Sequence, residues 1–233
     1  MKKHILLLSC EHAVNTIPKS FHAFFTSASE VLQTHRGIDL GALGIAKHLQ
    51  QTLHCELFAT EVSRLLIDCN RSLHHSHCLS EFCLDFTQKQ REMLINQYYL
   101  PYRQEITTRI QHYISQGFQV WHLSIHSFTP ILNNQVRQAD IGLLYDPKRP
   151  SEKHLASLWQ QAIKDCNPNY RVRKNYPYKG ISDGFTTNLR KQFSDADYVG
   201  LELESNQALV AEETSLSTLK KTLAESLIRI SRY

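Results

Sequence analysis

The feature that most constrains the fold of this chain is a series of short apolar runs, each followed directly by polar or ionisable residues. The first run, at residues 5–9, leads into Glu11 and His12, and the last, at 198–204, ends in a carboxylate. Runs of this length are typical of buried strands. Because ligands bind beyond the carboxyl ends of the strands in open α/β sheets, these polar groups are expected to meet at one edge of a sheet.

Helical segments alternate with the apolar runs. The pattern predicts strands at 5–9, 55–59, 64–69, 118–125, 141–145 and 198–204. It predicts helices at 37–53, 87–116, 151–166 and 213–231, with Gly117 as a helix stop and Ser151 as an N-cap. Such alternation indicates an α/β fold with a mixed, mostly parallel sheet and helices on both faces. Residues 167–197 are rich in turn formers and are expected to lie over the site as loops with one short helix.

Composition sets the class of protein. Of 233 residues, 42% are hydrophobic and 21% charged, which supports a single globular domain over residues 1–233. The net charge of +4 comes without a block of five or more Lys or Arg, which argues against nucleic-acid binding. No apolar run approaches the roughly 20 residues that cross a membrane, and Glu11 and His12 interrupt the apolar start before a signal-peptide core is complete. The six cysteines include no CxxC pair, so reduced thiols and a cytoplasmic location are expected.

Five polar clusters carry the candidate chemistry, and each lies beside a predicted strand or at a helix start. They are residues 9–13, 35–39, 63–71, 124–127 and 200–204. Two histidines with carboxylates at strand ends are what a catalytic zinc site with an open position requires. The one Gly-x-Ser-x-Gly match, at 180–184, lies in the turn-rich segment and follows no apolar run of the kind that forms a nucleophile elbow, and the sequence contains no Gly-rich phosphate loop. These observations leave two possible functions for the chain: metal-dependent hydrolysis, or a role without catalysis.

The arrangement of these clusters resembles the N-formylglutamate amidohydrolase family. The shared features are Glu-His near the N-terminus, Ser-Arg-x-x-x-Asp-x-Asn-Arg at 63–71, His-Ser after a central run, and a late run ending in Glu. The resemblance spans residues 5 to about 210. It implies a phosphorylase/hydrolase-like fold related to the zinc carboxypeptidases. It also implies hydrolysis of the amide bond of N-formylglutamate or a similar small, anionic N-acyl amino acid.

The same resemblance implies a site for one divalent metal ion, expected to be zinc. His12 and His126 are the implied histidine ligands, and the third ligand is a carboxylate. Asp39 matches an acidic position of the family, and Glu11 is the alternative. In the zinc carboxypeptidase pattern the acidic ligand comes three residues after the first histidine, where this chain has Asn15.

Other residues of the resemblance have roles in binding and proton transfer. Asn70 and Arg71 correspond to a grip on the substrate α-carboxylate, for which the planar guanidinium is suited. Arg64 is expected to stabilise the oxyanion or to bind a second carboxylate, and the alternative is an ion pair with Asp68, four residues on. Glu204 is the expected general base. Glu202, on the same side of the strand, is its alternative.

Two other functions fit the same residues. One is a metal-free anion-binding or regulatory module on this fold, and the other is a zinc peptidase-like enzyme of different specificity. The sequence leaves open the acyl group, the metal and the oligomeric state. It predicts a small-molecule partner, with no nucleic-acid or membrane partner.

Overall fold

The central element of the fold is a six-stranded sheet. The computed structural model describes residues 3–231. Its strands, in chain order, are β1 His4–Cys10, β2 Glu56–Ala59, β3 Gln119–Phe128, β4 Ile131–Leu132, β5 Gln135–Val136, β6 Ile141–Leu144, β7 Val172–Lys174 and β8 Tyr198–Asn206. The sheet has the order β2-β1-β3-β8-β6-β7, and β4 and β5 form a separate hairpin. Within the sheet, β6 is antiparallel to β8 and the other pairs are parallel. The predicted mixed, mostly parallel sheet is confirmed.

Helices cover both faces of this sheet, as predicted. They are α1 Ser29–Leu32, α2 Ala42–Leu53, α3 Gln88–Leu94, α4 Leu100–Ser115, α5 Pro150–Cys166, α6 Phe185–Arg190 and α7 Glu213–Ile230. Short 3-10 segments lie at Lys19–Ala28, Glu81–Cys83 and Gln207–Leu209, and a π-helical segment, Ile95–Tyr99, joins α3 to α4. Thr87 and Gln90 form a capping box at the start of α3. Gly117 follows α4 with φ +87, so the predicted stop is in place.

The central strands alternate strictly between the two faces. On one face, apolar side chains of β1, β3 and β8 join those of α2, α5 and α7 in one core. The other face packs against α4, α6 and the segment Lys19–Ala28. There the middle and carboxyl-terminal parts of the strands carry polar side chains: Ser9, His122, Ser124, His126, Glu202 and Glu204. This alternation follows from the two-residue period of a strand and delivers the polar groups to one face.

Three predicted segments differ from the structure. Residues 64–69 form a buried turn instead of a strand, because the amides of Leu66 and Ile67 donate to the carbonyl of Ser63 and pair with no neighbouring strand. The helix predicted at 37–53 begins only at Ala42, because Gly41 takes a left-handed backbone with φ +80. Residues 167–197 include β7 as well as the expected short helix, α6. An apolar run by itself does not distinguish a strand from a buried turn.

Two further findings concern the chain as a whole. All six cysteines lie in the described residues and none forms a disulfide. Over residues 3–231, no helix combines the length and apolar character needed to cross a membrane.

Candidate active site

His12, Asp39 and His126 meet at the carboxyl edge of the sheet. β1 and β3 are adjacent and parallel, so His12, two residues beyond β1, and His126, near the end of β3, arrive side by side. Asp39 lies in the turn before α2, and its backbone N–H donates to the carbonyl of His12 at 3.1 Å. All three residues are at most 4% exposed. The structure thus brings together the three residues predicted as metal ligands.

The spacing of their donor atoms fits a metal ion. Oδ2 of Asp39 lies 3.2 Å from Nδ1 of His12 and 2.9 Å from Nδ1 of His126. One donor atom from each residue lies within 4.8 Å of the others, and no second such group of His, Cys, Asp or Glu occurs in the part of the chain that the structure describes. A tetrahedral zinc ion with ligands at about 2.0–2.1 Å holds neighbouring ligands about 3.3 Å apart. Donor chemistry and spacing therefore both suit a divalent metal ion.

The second nitrogen of each imidazole faces a different carboxylate. Nε2 of His12 lies 2.9 Å from Oδ1 of Asp68, and Nε2 of His126 lies 3.2 Å from Oε2 of Glu11 and 2.7 Å from the Ser124 hydroxyl, which itself donates to that oxygen. An Nε2–H that donates to a carboxylate leaves a lone pair on Nδ1, which is how outer carboxylates orient metal-binding histidines. Both Nδ1 lone pairs then face Asp39, and a cation between these acceptors relieves their repulsion. This geometry favours Asp39 over Glu11 as the third carboxylate.

Arg64 supports the same tautomer of His12. Its Nη1 lies 3.1 Å from Nδ1 of His12, and because a guanidinium has only donors, this nitrogen accepts. Nη2 of Arg64 also pairs with Oδ2 of Asp68 at 3.0 Å, and Nη1 lies 3.4 Å from Oδ1 of Asp39. The ion pair considered from the sequence is therefore present. The Arg64 side chain remains 23% exposed, so it can also meet a ligand.

The charges of the site favour ionised carboxylates. Burial alone would raise the pKa of Asp39, Asp68 and Glu11, but their histidine partners outweigh it and all three values are lowered. Arg64 contributes to the lowering at Asp68. Burial alone would lower the pKa of His126, yet its hydrogen bonds and charges with Asp39 and Glu11 raise it well above the usual value. The centre is built to hold positive charge.

Glu204 and Glu202 differ in their surroundings although both line the same cavity. Glu204 lies opposite His126 in the pairing of β8 with β3, and its buried Oε2 has no hydrogen-bond partner among residues 3–231. Burial, with the charges of Asp39 and Glu202, raises the pKa of Glu204 to about 8. Glu202 instead accepts a hydrogen bond from Thr186 at 2.5 Å. The two carboxylates therefore differ in that Glu202 is held by a hydrogen bond, whereas Oε2 of Glu204 is not.

A cavity of about 400 Å³ opens above these groups. Asn70 and Arg71 lie in its wall. Oδ1 of Asn70 accepts from the backbone N–H of Phe185 at 2.8 Å, which leaves its NH₂ group as a donor. Arg71 donates through Nη1 to the carbonyl of Asp183. The two predicted substrate-binding residues thus share one wall of the cavity whose floor holds the histidines.

Comparison with known families tests the family resemblance that the sequence motifs indicate. The family described as N-formylglutamate amidohydrolase matches residues 5–211. The chain belongs to the N-formylglutamate amidohydrolase family. It is an amidohydrolase by this membership, and the resemblance inferred from the sequence is confirmed.

Solved structures agree with this family on the fold. A gene product of Agrobacterium tumefaciens has a TM-score of 0.81 and 27% identity, and the alignment covers 98% of this chain and 92% of that chain. The N-formylglutamate amidohydrolase from Ralstonia eutropha has a TM-score of 0.73 and 19% identity, with 98% and 93% covered. At 19% identity the likeness concerns the fold alone. A search of curated protein sequences finds no significant match.

Several residues of this family member's site were missed or underrated from the sequence. Asp68 had been considered only as a partner of Arg64, although it also contacts His12. Tyr178, Lys179 and Asp183 line the cavity and come from the turn-rich segment, residues 167–197, that is predicted to cover it. Of the histidines at 74, 75 and 77, His77 lines the cavity.

Proposed function

We propose that this amidohydrolase is zinc-dependent and cleaves the amide bond of N-formyl-L-glutamate or of a similar small, anionic N-acyl amino acid. The observation that carries the proposal is the group His12, Asp39 and His126, which lies at the floor of a cavity that has Arg71 in its wall. A metal-binding triad with a cation nearby suits a substrate that has both a carbonyl to polarise and a carboxylate to hold.

His12, Asp39 and His126 would hold the ion, with two imidazole nitrogens and one carboxylate oxygen as in catalytic zinc sites. When bound, zinc supplies Lewis acidity to the acyl carbonyl and lowers the pKa of water. Asp68 and Glu11 keep the two imidazoles in the tautomer that this requires.

Glu204 takes the role of proton carrier. It accepts a proton from the attacking water and returns it to the leaving nitrogen, so that the amide yields a carboxylic acid and an amine. A carboxyl serves best in this role when its pKa lies near the working pH, and the pKa of Glu204 is raised to about 8. Glu204 lines the cavity and pairs with His126 in the strand register, which supports its contact with that water.

Arg71 and Asn70 hold the substrate α-carboxylate. The guanidinium offers a planar pair of donors that matches a carboxylate, and the free amide NH₂ of Asn70 adds a directed donor. Arg64 contacts His12 and lines the same cavity, which supports a role for its charge in stabilising the oxyanion of the tetrahedral intermediate.

Zinc stoichiometry and a substrate panel test the proposal together. The metal-free protein is titrated with zinc, and the loaded protein is then assayed with N-formyl-L-glutamate, its α-amide, other N-acyl amino acids and dipeptides. We expect one zinc per chain and fastest turnover of N-formyl-L-glutamate, with the α-amide much slower. Zinc binding with cleavage of dipeptides only would identify a peptidase, and failure to bind zinc would identify a metal-free module.

A further inference from the structure

We infer that the helical turn at the junction of the π-helical segment Ile95–Tyr99 and α4 is a positioning element for both halves of the active site. Its members are Tyr99, Tyr102 and Arg103. Tyr102 holds the metal-binding half through Glu11, and Tyr99 with Arg103 holds the carboxylate-binding half through the backbone of Asn70 and its neighbours. The inference rests on the proposed function, because it concerns how zinc and the substrate carboxylate are held.

Tyr102 acts on the metal-binding half. Its hydroxyl donates to Oε1 of Glu11 at 3.1 Å, while Oε2 of Glu11 accepts from Ser124 and lies 3.2 Å from Nε2 of His126. Glu11 is 1% exposed and Tyr102 is 9% exposed. A buried carboxylate with partners on both oxygens has little freedom to rotate. The Tyr102 hydroxyl therefore fixes the carboxylate that orients the His126 imidazole.

Tyr99 and Arg103 act on the carboxylate-binding half. The Tyr99 hydroxyl donates to the carbonyl of Arg71 at 2.7 Å. Nη1 of Arg103 donates to the carbonyl of Cys69 at 3.0 Å and to that of Arg71 at 3.2 Å. These two carbonyls flank Asn70, so three hydrogen bonds from one helix fix the backbone from which both substrate-binding side chains project.

The Arg103 guanidinium also links this backbone to α6. It lies 4.4 Å from the ring centre of Phe185 and 4.9 Å from that of Tyr99, and the Phe185 N–H donates to Asn70. Arg103 is 8% exposed, and within residues 3–231 it has no carboxylate in ion-pair range. Burying an unpaired guanidinium costs free energy. An apolar side chain at position 103 would fill the core without this cost. The buried charge of Arg103 therefore indicates a positioning role.

The spacing along the helix explains how these three side chains contact both Glu11 and the backbone around Asn70. Positions 99, 102 and 103 have the i, i+3, i+4 spacing of one helix face. The π-helical segment Ile95–Tyr99 ends at the first of them, and such segments insert a residue into a helix and are frequent at functional sites. The inserted residue shifts the face that α4 presents relative to α3. It directs this turn toward Glu11 and Asn70.

The test compares single-residue variants of this turn for two quantities, zinc affinity and KM, which the inference expects to change separately. Tyr102→Phe is expected to weaken zinc binding by about tenfold, measured by competition with a chromogenic chelator, because outer carboxylate contacts contribute on this scale. Its KM at saturating zinc stays close to that of the wild type. Tyr99→Phe and Arg103→Lys are expected to raise KM for N-formyl-L-glutamate by about three- to tenfold while zinc affinity stays unchanged.

Tyr113→Phe is the matched control. Tyr113 lies on the same helix, and its hydroxyl donates to Glu56 at 2.9 Å, away from the cavity. This variant removes the same kind of hydrogen bond and is expected to change neither zinc affinity nor KM. If Tyr102→Phe and Tyr113→Phe bind zinc equally, or if all three positioning variants change both quantities alike, the inference is overturned while the proposed function stands. A wild-type protein that binds no zinc would overturn the proposed function and this inference with it.

Discussion

The two faces of the central sheet are made from the same strands but have opposite contents. On the face covered by α2, α5 and α7, β3 and β8 present Leu123, Ile125, Leu201 and Leu203, all at most 1% exposed. On the face covered by α4 and α6, alternate residues of the same strands are polar: His122, Ser124, His126, Glu202 and Glu204. Side chains one residue apart therefore enter two different environments.

The apolar face of the sheet mainly stabilises the fold, whereas the polar face carries the candidate site. The apolar face gains free energy from burial in proportion to its area. Buried polar groups instead cost free energy unless they are paired, and on the second face they are joined in hydrogen-bonded chains such as Tyr102–Glu11–His126. A substitution on the first face should thus change the free energy of unfolding, whereas one among the cavity-lining residues of the second face should change metal binding or catalysis.

The largest effect is expected on the polar face, from His126→Ala. Removing one of the three proposed ligands should weaken zinc binding by more than the roughly 10–100-fold that an outer contact contributes, and hydrolysis should fall to background. Elemental analysis after dialysis and an amide-hydrolysis assay measure both. The fold should persist, as shown by an unchanged circular dichroism spectrum. Full zinc stoichiometry in this variant would remove His126 from the proposed ligand set.

The opposite face is tested by Leu201→Ala. Leu201 is fully buried among apolar side chains, and truncating such a leucine costs about 2–5 kcal/mol of unfolding free energy. Urea unfolding of the metal-free protein measures this loss. Zinc affinity of the folded variant should match the wild type. A stable variant with impaired zinc binding would break the division between the two faces.

Glu204→Gln probes proton transfer without changing the volume of the side chain. We expect kcat to fall by about a hundredfold, the usual scale for a positioned base, with zinc content and KM retained. Steady-state kinetics with N-formyl-L-glutamate measure this change. Glu202→Gln is the matched control, because Glu202 is two residues away on the same face and is engaged by Thr186. A normal rate in the first variant with an inactive second would assign the base role to Glu202.

Arg71→Ala tests the wall of the cavity. Losing a charge-assisted contact to the substrate carboxylate should cost about 1.5–3 kcal/mol, or roughly ten- to a hundredfold in KM. The loss should be confined to substrates with a free α-carboxylate. The α-amide of N-formyl-L-glutamate is the comparison, and an equal loss on both compounds would show that Arg71 does not read that carboxylate.

His122 gives the smallest effect, and it depends on pH. Its Nε2 lies in hydrogen-bond contact with Ser9 Oγ at 2.7 Å, and its Nδ1 with the Tyr198 hydroxyl at 2.8 Å. Burial lowers the pKa of His122 to about 4. The unfolded chain, with an ordinary histidine pKa of about 6.5, binds the proton more readily. Stability should therefore fall as pH drops below about 6.5 and continue to fall until about pH 4, by roughly 2 kcal/mol at pH 5.

The variant His122→Gln isolates this contribution from the other titrating groups. Glutamine keeps one donor and one acceptor but does not titrate. Urea unfolding at pH 7.5 and pH 5 should show a smaller loss of stability in the variant than in the wild type. The same pH dependence in both proteins would show that His122 is protonated equally in the folded and unfolded chains.

How much the sequence predicted can be judged from particular elements. The strand at 118–125 was predicted from its apolar residues, and the structure extends it to Phe128, which places His126 inside it. The buried turn at 64–69 was predicted as a strand, because its apolar residues satisfy the pattern while its backbone folds on itself. The composition and hydrophobic periodicity of a segment indicate whether it is buried. Its conformation depends on where its backbone N–H and C=O groups find hydrogen-bond partners.

The residue types that reach the carboxyl edge of the sheet can be read from the sequence, because the two-residue period of a strand is a local property. The sequence placed His12, His126, Asp39 and the Asn-Arg pair in one site through a motif. Only the tertiary structure decided which carboxylate faces which imidazole nitrogen. Asp39 and Asp68 lie 27 and 56 residues from His12, and side chains so far apart in sequence meet at distances that depend on the packing of the whole sheet.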